Sequence, residues 1–280
     1  MKNRRLACAV SALALLAALS AQAQQVTKYV RYESGGKTSY GVLEAEQIRE
    51  LDRSPIEGGK PTGKTVALAS AKLLAPVEPS KVIAVGLNYK SHLGDREPAP
   101  YPGLFAKFPT SIIGPEAEIV YPEGASNVHF EGELVVVIGK KASRVSKQDA
   151  PKYIFGVTAG NDLSERDWQR DDLQWFRAKA SDNFGPLGPA IVTGLNHNDL
   201  LLQTRVNGKV LQKQRTSDLL FDVEDIVSYI SHYVTLMPGD VIYTGTPGQT
   251  SAMKPGDVVE IEIEGIGILR NRIAPSTTDH

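Results

Sequence analysis

The chain has 280 residues, of which 41% are hydrophobic and 22% charged, with 25 Gly, 17 Pro, one Cys and a formal net charge of −1. This is the balance of an ordinary folded protein, and it excludes a collagen, a disordered tail and a disulfide scaffold. A charge so close to zero gives no electrostatic reason to expect nucleic acid or an anionic membrane as partner.

Residues 1–23 read as a cleavable secretory signal. Lys2, Arg4 and Arg5 form a basic start, Leu6 to Leu19 is an apolar run, and Ala21-Gln22-Ala23 is a small-residue cleavage site. The run is too short to span a bilayer as a finished helix. The expectation is a chain cut after Ala23 and exported to the periplasm or beyond, with no membrane contact afterwards. Cys8 would leave with the signal, so the mature chain would carry no thiol chemistry. Arg4-Arg5 leaves both the general and the twin-arginine export routes open.

Residues 26–43 predict two short strands about Ser34-Gly35-Gly36. Pro55 to Gly63 is rich in Gly and Pro and precedes an apolar segment from Val66 to Pro76. The resulting division is a small β-rich N-terminal module over 24–75, a main domain over 76–274 and a tail over 275–280. Lys81 to Leu87 then reads as a buried strand, Asn88 to Pro102 as a polar loop and Leu134 to Gly139 as a second buried strand. A short helix opened by Ser146 is expected over 146–153, and a strand over Phe155 to Ala159. Ser164-Glu165-Arg166-Asp167 matches a capping box and starts a helix reaching about Leu173. A stretch dense in Gly and Pro, Arg177 to Pro189, leads into a strand over Ala190 to Thr193. Asn207-Gly208 is the strongest hairpin signal in the chain. Asp222 caps a helix with Val223, Ile226, Val227 and Ile230 on one face, and two strands, Val241 to Thr244 and Val258 to Ile268, follow Pro-Gly-Asp turns. The fold class is α+β, dominated by strands, with no βαβ alternation.

The sequence has no G-x-S-x-G elbow, Walker A loop, H-E-x-x-H or G-x-G-x-x-G, which sets aside the common serine hydrolases, P-loop enzymes, zincins and Rossmann oxidoreductases. Carboxylates in unusual places remain. Glu131 and Glu133 share one face as a strand enters the core. Spacing alone leaves two readings, a solvated strand end or a cation site. Asp162 ends another apolar strand and adds weight to the second. Three carboxylates without a soft ligand select a hard cation, Mg²⁺ or Mn²⁺ ahead of Zn²⁺. Arg166 and Gln169 follow Asp162 at helical spacing, either facing the same cavity or forming a solvated face. Lys179 is either a surface charge or a fixed cation in a pocket. His92, with Asp95 three residues on, is either a solvated loop residue or a base held by a carboxylate. His129, His197, His232 and His280 read as structural or exposed.

GLNYKSH, HFEGELVVVIGK, NDLSERD, KASDNFGPLGP, VNGKVLQ and YTGTP occur in this order. In carrying them the chain resembles the fumarylacetoacetate hydrolase superfamily, and RYESGGKTSYGVLE resembles the small domain of bacterial members described as 2-hydroxyhepta-2,4-diene-1,7-dioate isomerases. The resemblance implies a β-roll catalytic domain, usually in a homodimer. It implies Mg²⁺ or Mn²⁺ on Glu131, Glu133 and Asp162, with Lys107, Arg166, Gln169 and Thr246 binding substrate. Lys179 would add positive charge at the reacting oxygen, and His92 would sit on a lid with Asp95, or else Glu97, as its partner. The implied activity is on 2-oxo or diketo acids through an enolate that the metal stabilises. C–C hydrolysis of an acylpyruvate-type substrate leads, with dioate isomerisation, oxaloacetate decarboxylation or tautomerisation as alternatives. A reading of another class is a periplasmic protein that binds metal and 2-oxo acid without turnover. The chain departs from the family pattern at Asp95, where Glu is usual, and at Gln249-Thr250 after TGTP.

Overall fold

A computed structural model describes residues 25–275. The expected signal with Cys8, and the tail beyond 275 with His280, lie outside the described residues.

A large mixed sheet forms the frame. In spatial order its strands are Pro61–Ala67, Gln47–Leu51, Lys37–Glu44, Thr27–Ser34, Gly185–Thr193, Ile154–Asn161, Gly132–Ile138, Val241–Tyr243, Val82–Gly86 and Gly103–Lys107. Neighbours run antiparallel except Val241–Tyr243 against Val82–Gly86, which is parallel. A second sheet orders Lys209–Arg215, Leu201–Val206, Val258–Ile263, Gly267–Ile273 and Glu118–Ile119. A short ladder joins Val128–His129 to Ser164–Glu165.

The central strand Gly132–Ile138 is buried along its whole length. Its alternating side chains feed two cores, as a strand covered on both faces must. Leu134 and Val136 pack with Leu202, Ile261 and Leu269 of the second sheet. Val135 and Val137 pack with Leu187, Ile191 and Tyr243 on the other face. The N-terminal strands extend this sheet, because Thr27 to Tyr29 pairs with Ile191 to Thr193.

Both predicted hairpins form on two-residue turns. Gly35 and Gly36 have φ +58° and +74°, and Asn207 and Gly208 have φ +50° and +79°. Positive φ at both turn positions matches the twist of the paired strands.

Among the described residues the helices are few and short, in order α1 (Lys90–Leu93), α2 (Arg166–Asp171), α3 (Phe176–Ala180) and α4 (Val223–Tyr233). As expected, α4 is capped by Asp222, whose carboxylate accepts the Asp225 N–H at 2.8 Å. Elsewhere the local structure differs from the sequence reading. The segment 146–153 yields only a 3-10 turn over Ala150–Tyr153, since Pro151 has no N–H to continue a helix from Ser146. Ser164 is in the short ladder, donating to the Asp162 carbonyl at 2.9 Å. Glu165 therefore caps α2, accepting the Trp168 N–H at 2.6 Å, and the helix stops at Asp171 rather than Leu173. The run Val258 to Ile268 is two strands, reversed at Gly265 with φ +77°.

Candidate active site

Glu131 and Glu133 flank Gly132 where the central strand begins, and the antiparallel register places Gly132 opposite Asn161. The Asp162 N–H donates to the Glu131 carbonyl at 2.9 Å. Asn161 Oδ1 accepts the Glu131 N–H at 2.8 Å. Backbone pairing thus delivers three buried carboxylates to one point, with an oxygen of each within 4.8 Å of the others.

Like charges buried this closely need compensation. Lys179, on α3, sits between two of them, 2.6 Å from Glu131 and 2.7 Å from Asp162. Burial alone would depress its pKa, but Asp162 and Glu131 outweigh that and hold it raised, so it is a fixed ammonium. Arg166 Nη2 lies 2.5 Å from Glu131 Oε1. Burial opposes ionisation of Glu131, yet Lys179, Arg166 and His92 together hold its pKa well below the usual carboxylate range. Glu133 is treated differently. It accepts one backbone N–H, from Gly245 at 2.7 Å, and has no ionic partner among the described residues. Burial, then Asp162 and Glu131, raise its pKa strongly. Three hard oxygen donors, of which Glu133 has no cationic partner among the described residues, fit a divalent cation such as Mg²⁺ or Mn²⁺.

A cavity of about 760 Å³ opens over Glu131 and Glu133, lined also by His92, Arg166, Gln169, Lys179 and Thr246. Arg166 Nη1 donates to Gln169 Oε1 at 2.7 Å. Phe105 forms an apolar wall, its ring centroid 5.1 Å from Lys179 Nζ, and Trp175 packs edge-on against it. His92 Nε2 faces Glu131 Oε1 at 3.8 Å.

Three of the expected site residues have their main contacts within the protein. His92 Nδ1 is hydrogen-bonded to the Gly248 carbonyl, while Asp95 and Glu97 stand exposed and make no hydrogen bond to it among the described residues. Gly248 already occupies the ring nitrogen that a carboxylate would have taken. Lys107 does not line the cavity: it is completely buried behind Asp162, donating to Asp162 Oδ1 at 2.7 Å and to the Lys179 carbonyl. It braces a carboxylate. Thr246 reaches the cavity, but its hydroxyl donates to the Gly132 carbonyl at 3.0 Å and accepts Gln212 Nε2 at 2.8 Å, so it mainly ties two strands together.

Several contributors stand in or beside the quoted motifs but carried no site role in the sequence reading. Gln212 also accepts the Gly132 N–H at 3.2 Å. Asn88 secures the segment leading into α1, bonded to Thr244 and Phe221 backbone at 2.8–3.0 Å. Thr250 accepts Arg166 Nη2 at 2.8 Å, and His129 Nδ1 lies 2.9 Å from the same hydroxyl. Burial and then Arg166 lower the His129 pKa to about 4. His197 pairs with Glu224, and His232 is exposed, as structural readings of them required.

Residues 81–274 match the model of the fumarylacetoacetate hydrolase C-terminal family, and residues 27–76 that of the Rv2993c-like N-terminal family. Human mitochondrial oxaloacetate tautomerase FAHD2A is 42% identical over 71% of this chain and 68% of its own length. The structure of a 2-hydroxyhepta-2,4-diene-1,7-dioate isomerase from Mycobacterium marinum is 43% identical, with TM-score 0.85 over 90% of this chain and all of that one. Maleylpyruvate hydrolase from Sphingobium sp. SYK-6, in complex with manganese(II) and pyruvate, is 27% identical, with TM-score 0.75 over 89% of this chain and all of that one. The acidic cluster, the strand-dominated fold and these matches lead to one conclusion: the chain belongs to the fumarylacetoacetate hydrolase family.

Proposed function

We propose that this protein is a divalent-metal-dependent enzyme that interconverts or cleaves small 2-oxo acids through an enolate. The observation that carries the reading is the trio Glu131, Glu133 and Asp162, with the Lys179 ammonium fixed against two of them and His92 Nε2 facing them across the cavity. Held by the three carboxylates, Mg²⁺ or Mn²⁺ would supply Lewis acidity toward negative charge growing on the 2-oxo oxygen. Lys179 donates a hydrogen bond to that oxygen without reorganising. Arg166, steadied by Gln169, receives the substrate carboxylate. His92 spends its Nδ1–H on the Gly248 carbonyl, which leaves the Nε2 lone pair to take a proton from the carbon next to the 2-oxo group and return it to oxygen. This supports keto–enol proton transfer, that is tautomerisation or isomerisation, as the lead reaction.

C–C hydrolysis of an acylpyruvate is the second reading, favoured by Asp95 lining the same cavity as His92. There His92 takes its proton from water, which adds to the distal carbonyl. The basic start, apolar run and Ala21-Gln22-Ala23 support a periplasmic or secreted site of action. Leu173 and Phe176, exposed near the cavity, support association of two copies.

The test is an ultraviolet assay of the purified protein on oxaloacetate and acylpyruvates, with Mn²⁺ or Mg²⁺ against a chelated control. Metal-dependent change in enol absorbance without pyruvate release is the expected result. Stoichiometric pyruvate with a carboxylic acid moves hydrolysis first, and pyruvate with CO₂ moves decarboxylation first. No change on any substrate contradicts the enzyme reading and favours a protein that only binds metal and 2-oxo acid.

A further inference from the structure

We propose that His129 is a positioning residue which, through Thr250, fixes the Arg166 guanidinium for the substrate carboxylate; this rests on the assignment of Arg166 as the carboxylate contact. For a neutral imidazole the chain of hydrogen bonds has only one consistent direction. Asn127 Nδ2 lies 3.3 Å from Asp167 Oδ1, and a carboxylate can only accept. The amide nitrogen therefore faces Asp167, and Asn127 Oδ1 faces His129 Nε2 at 2.9 Å. An acceptor there requires the imidazole hydrogen on Nε2, which leaves Nδ1 as a lone pair. Thr250 must direct its hydroxyl hydrogen to Nδ1 at 2.9 Å, and its oxygen is then oriented to accept Arg166 Nη2 at 2.8 Å.

The anchor of this relay is rigid. His129 lies in the ladder to Ser164–Glu165 and bridges to Ala252, while the Met253 N–H donates to the Val128 carbonyl at 2.9 Å. The far end serves two partners at once. Thr250 holds Arg166, and two residues earlier the Gly248 carbonyl holds His92 while the Gly248 N–H donates to Ser91 Oγ at 2.9 Å. One short loop, pinned by one histidine, sets both the carboxylate-binding arginine and the proton-accepting ring.

The experiment titrates the Mn²⁺-loaded protein with oxalate, a dianion of two adjacent carboxylates, by calorimetry. Thr250→Val keeps the side-chain shape without the hydroxyl, and His129→Phe removes both ring nitrogens. His129→Gln restores an acceptor toward Thr250 and a donor toward Asn127. Thr250→Val and His129→Phe are expected to weaken oxalate about tenfold, the scale of one hydrogen bond to a charged group. Mn²⁺ affinity without oxalate should stay unchanged in both, and His129→Gln should recover most of the loss. Wild-type oxalate affinity in both Thr250→Val and His129→Phe, or equal loss in the Gln and Phe variants, overturns the proposal. A Mn²⁺-loaded wild type that binds no oxalate contradicts the underlying role of Arg166 instead. Nitrogen NMR of the wild-type imidazole gives a check that needs no variant. An Nε2–H tautomer at His129 is expected, and an Nδ1–H tautomer overturns the relay.

Discussion

His92 arrives at the cavity with one ring nitrogen already committed to the Gly248 carbonyl, so only Nε2 is free to exchange a proton with substrate. His92→Ala should therefore cut turnover by roughly 10²–10⁴, the usual contribution of a positioned base. Mn²⁺ affinity should hold, because Nε2 stands 3.8 Å from Glu131 and outside the carboxylate cluster. Steady-state kinetics beside Mn²⁺ dialysis checks both halves, and an alanine variant with wild-type turnover rules out the base. The three carboxylates, Arg166, Lys179 and His92 were legible as side chains in short motifs, and Gln169 by its helical spacing from Asp162. The partner of His92 was not, because it is a backbone carbonyl 156 residues away. Lys107 shows another blind spot: the resemblance names it as a site residue but does not say that it is buried against Asp162.

Among the elements, the strands that carry the acids were easiest to anticipate, since their runs of Val, Ile and Leu match strands buried on both faces. Their tight approach was not legible. A Cβ on Gly160 would come within 2.5 Å of both Tyr243 Cε1 and Val135 Cγ2. Gly160→Ala should therefore cost about 1–3 kcal/mol by overpacking, read from the denaturant midpoint. An alanine variant as stable as wild type would show that this sheet gives more easily than described. Helix ends were the least legible, as at α2, where two polar residues compete to cap. Ser164 is drawn into a ladder with His129, and Glu165 takes the cap instead. Only the tertiary pairing decides between them.

At the scale of the molecule, the N-terminal strands lengthen the sheet whose centre delivers Glu131, Glu133 and Asp162, while α2 and α3 bring the cations Arg166 and Lys179 to them. That strand-dominated organisation followed from alternation and turn signals. The attachment of the N-terminal strands to Gly185–Thr193 did not, because pairing between distant strands leaves no local trace. The assembled site makes metal binding a pH-dependent property. The raised pKa of Glu133 means that a cation must displace a proton. Acid therefore favours the metal-free protein, and affinity strengthens as pH rises through the Glu133 titration.

Equilibrium dialysis of Mn²⁺ against the wild type and Glu133→Gln, each confirmed folded by circular dichroism, tests this centre most directly. One ion per chain in the wild type, bound more tightly as pH rises, and none in the Gln variant is the predicted result. One ion per chain retained by Glu133→Gln, or no ion in the wild type at any pH, would contradict the account.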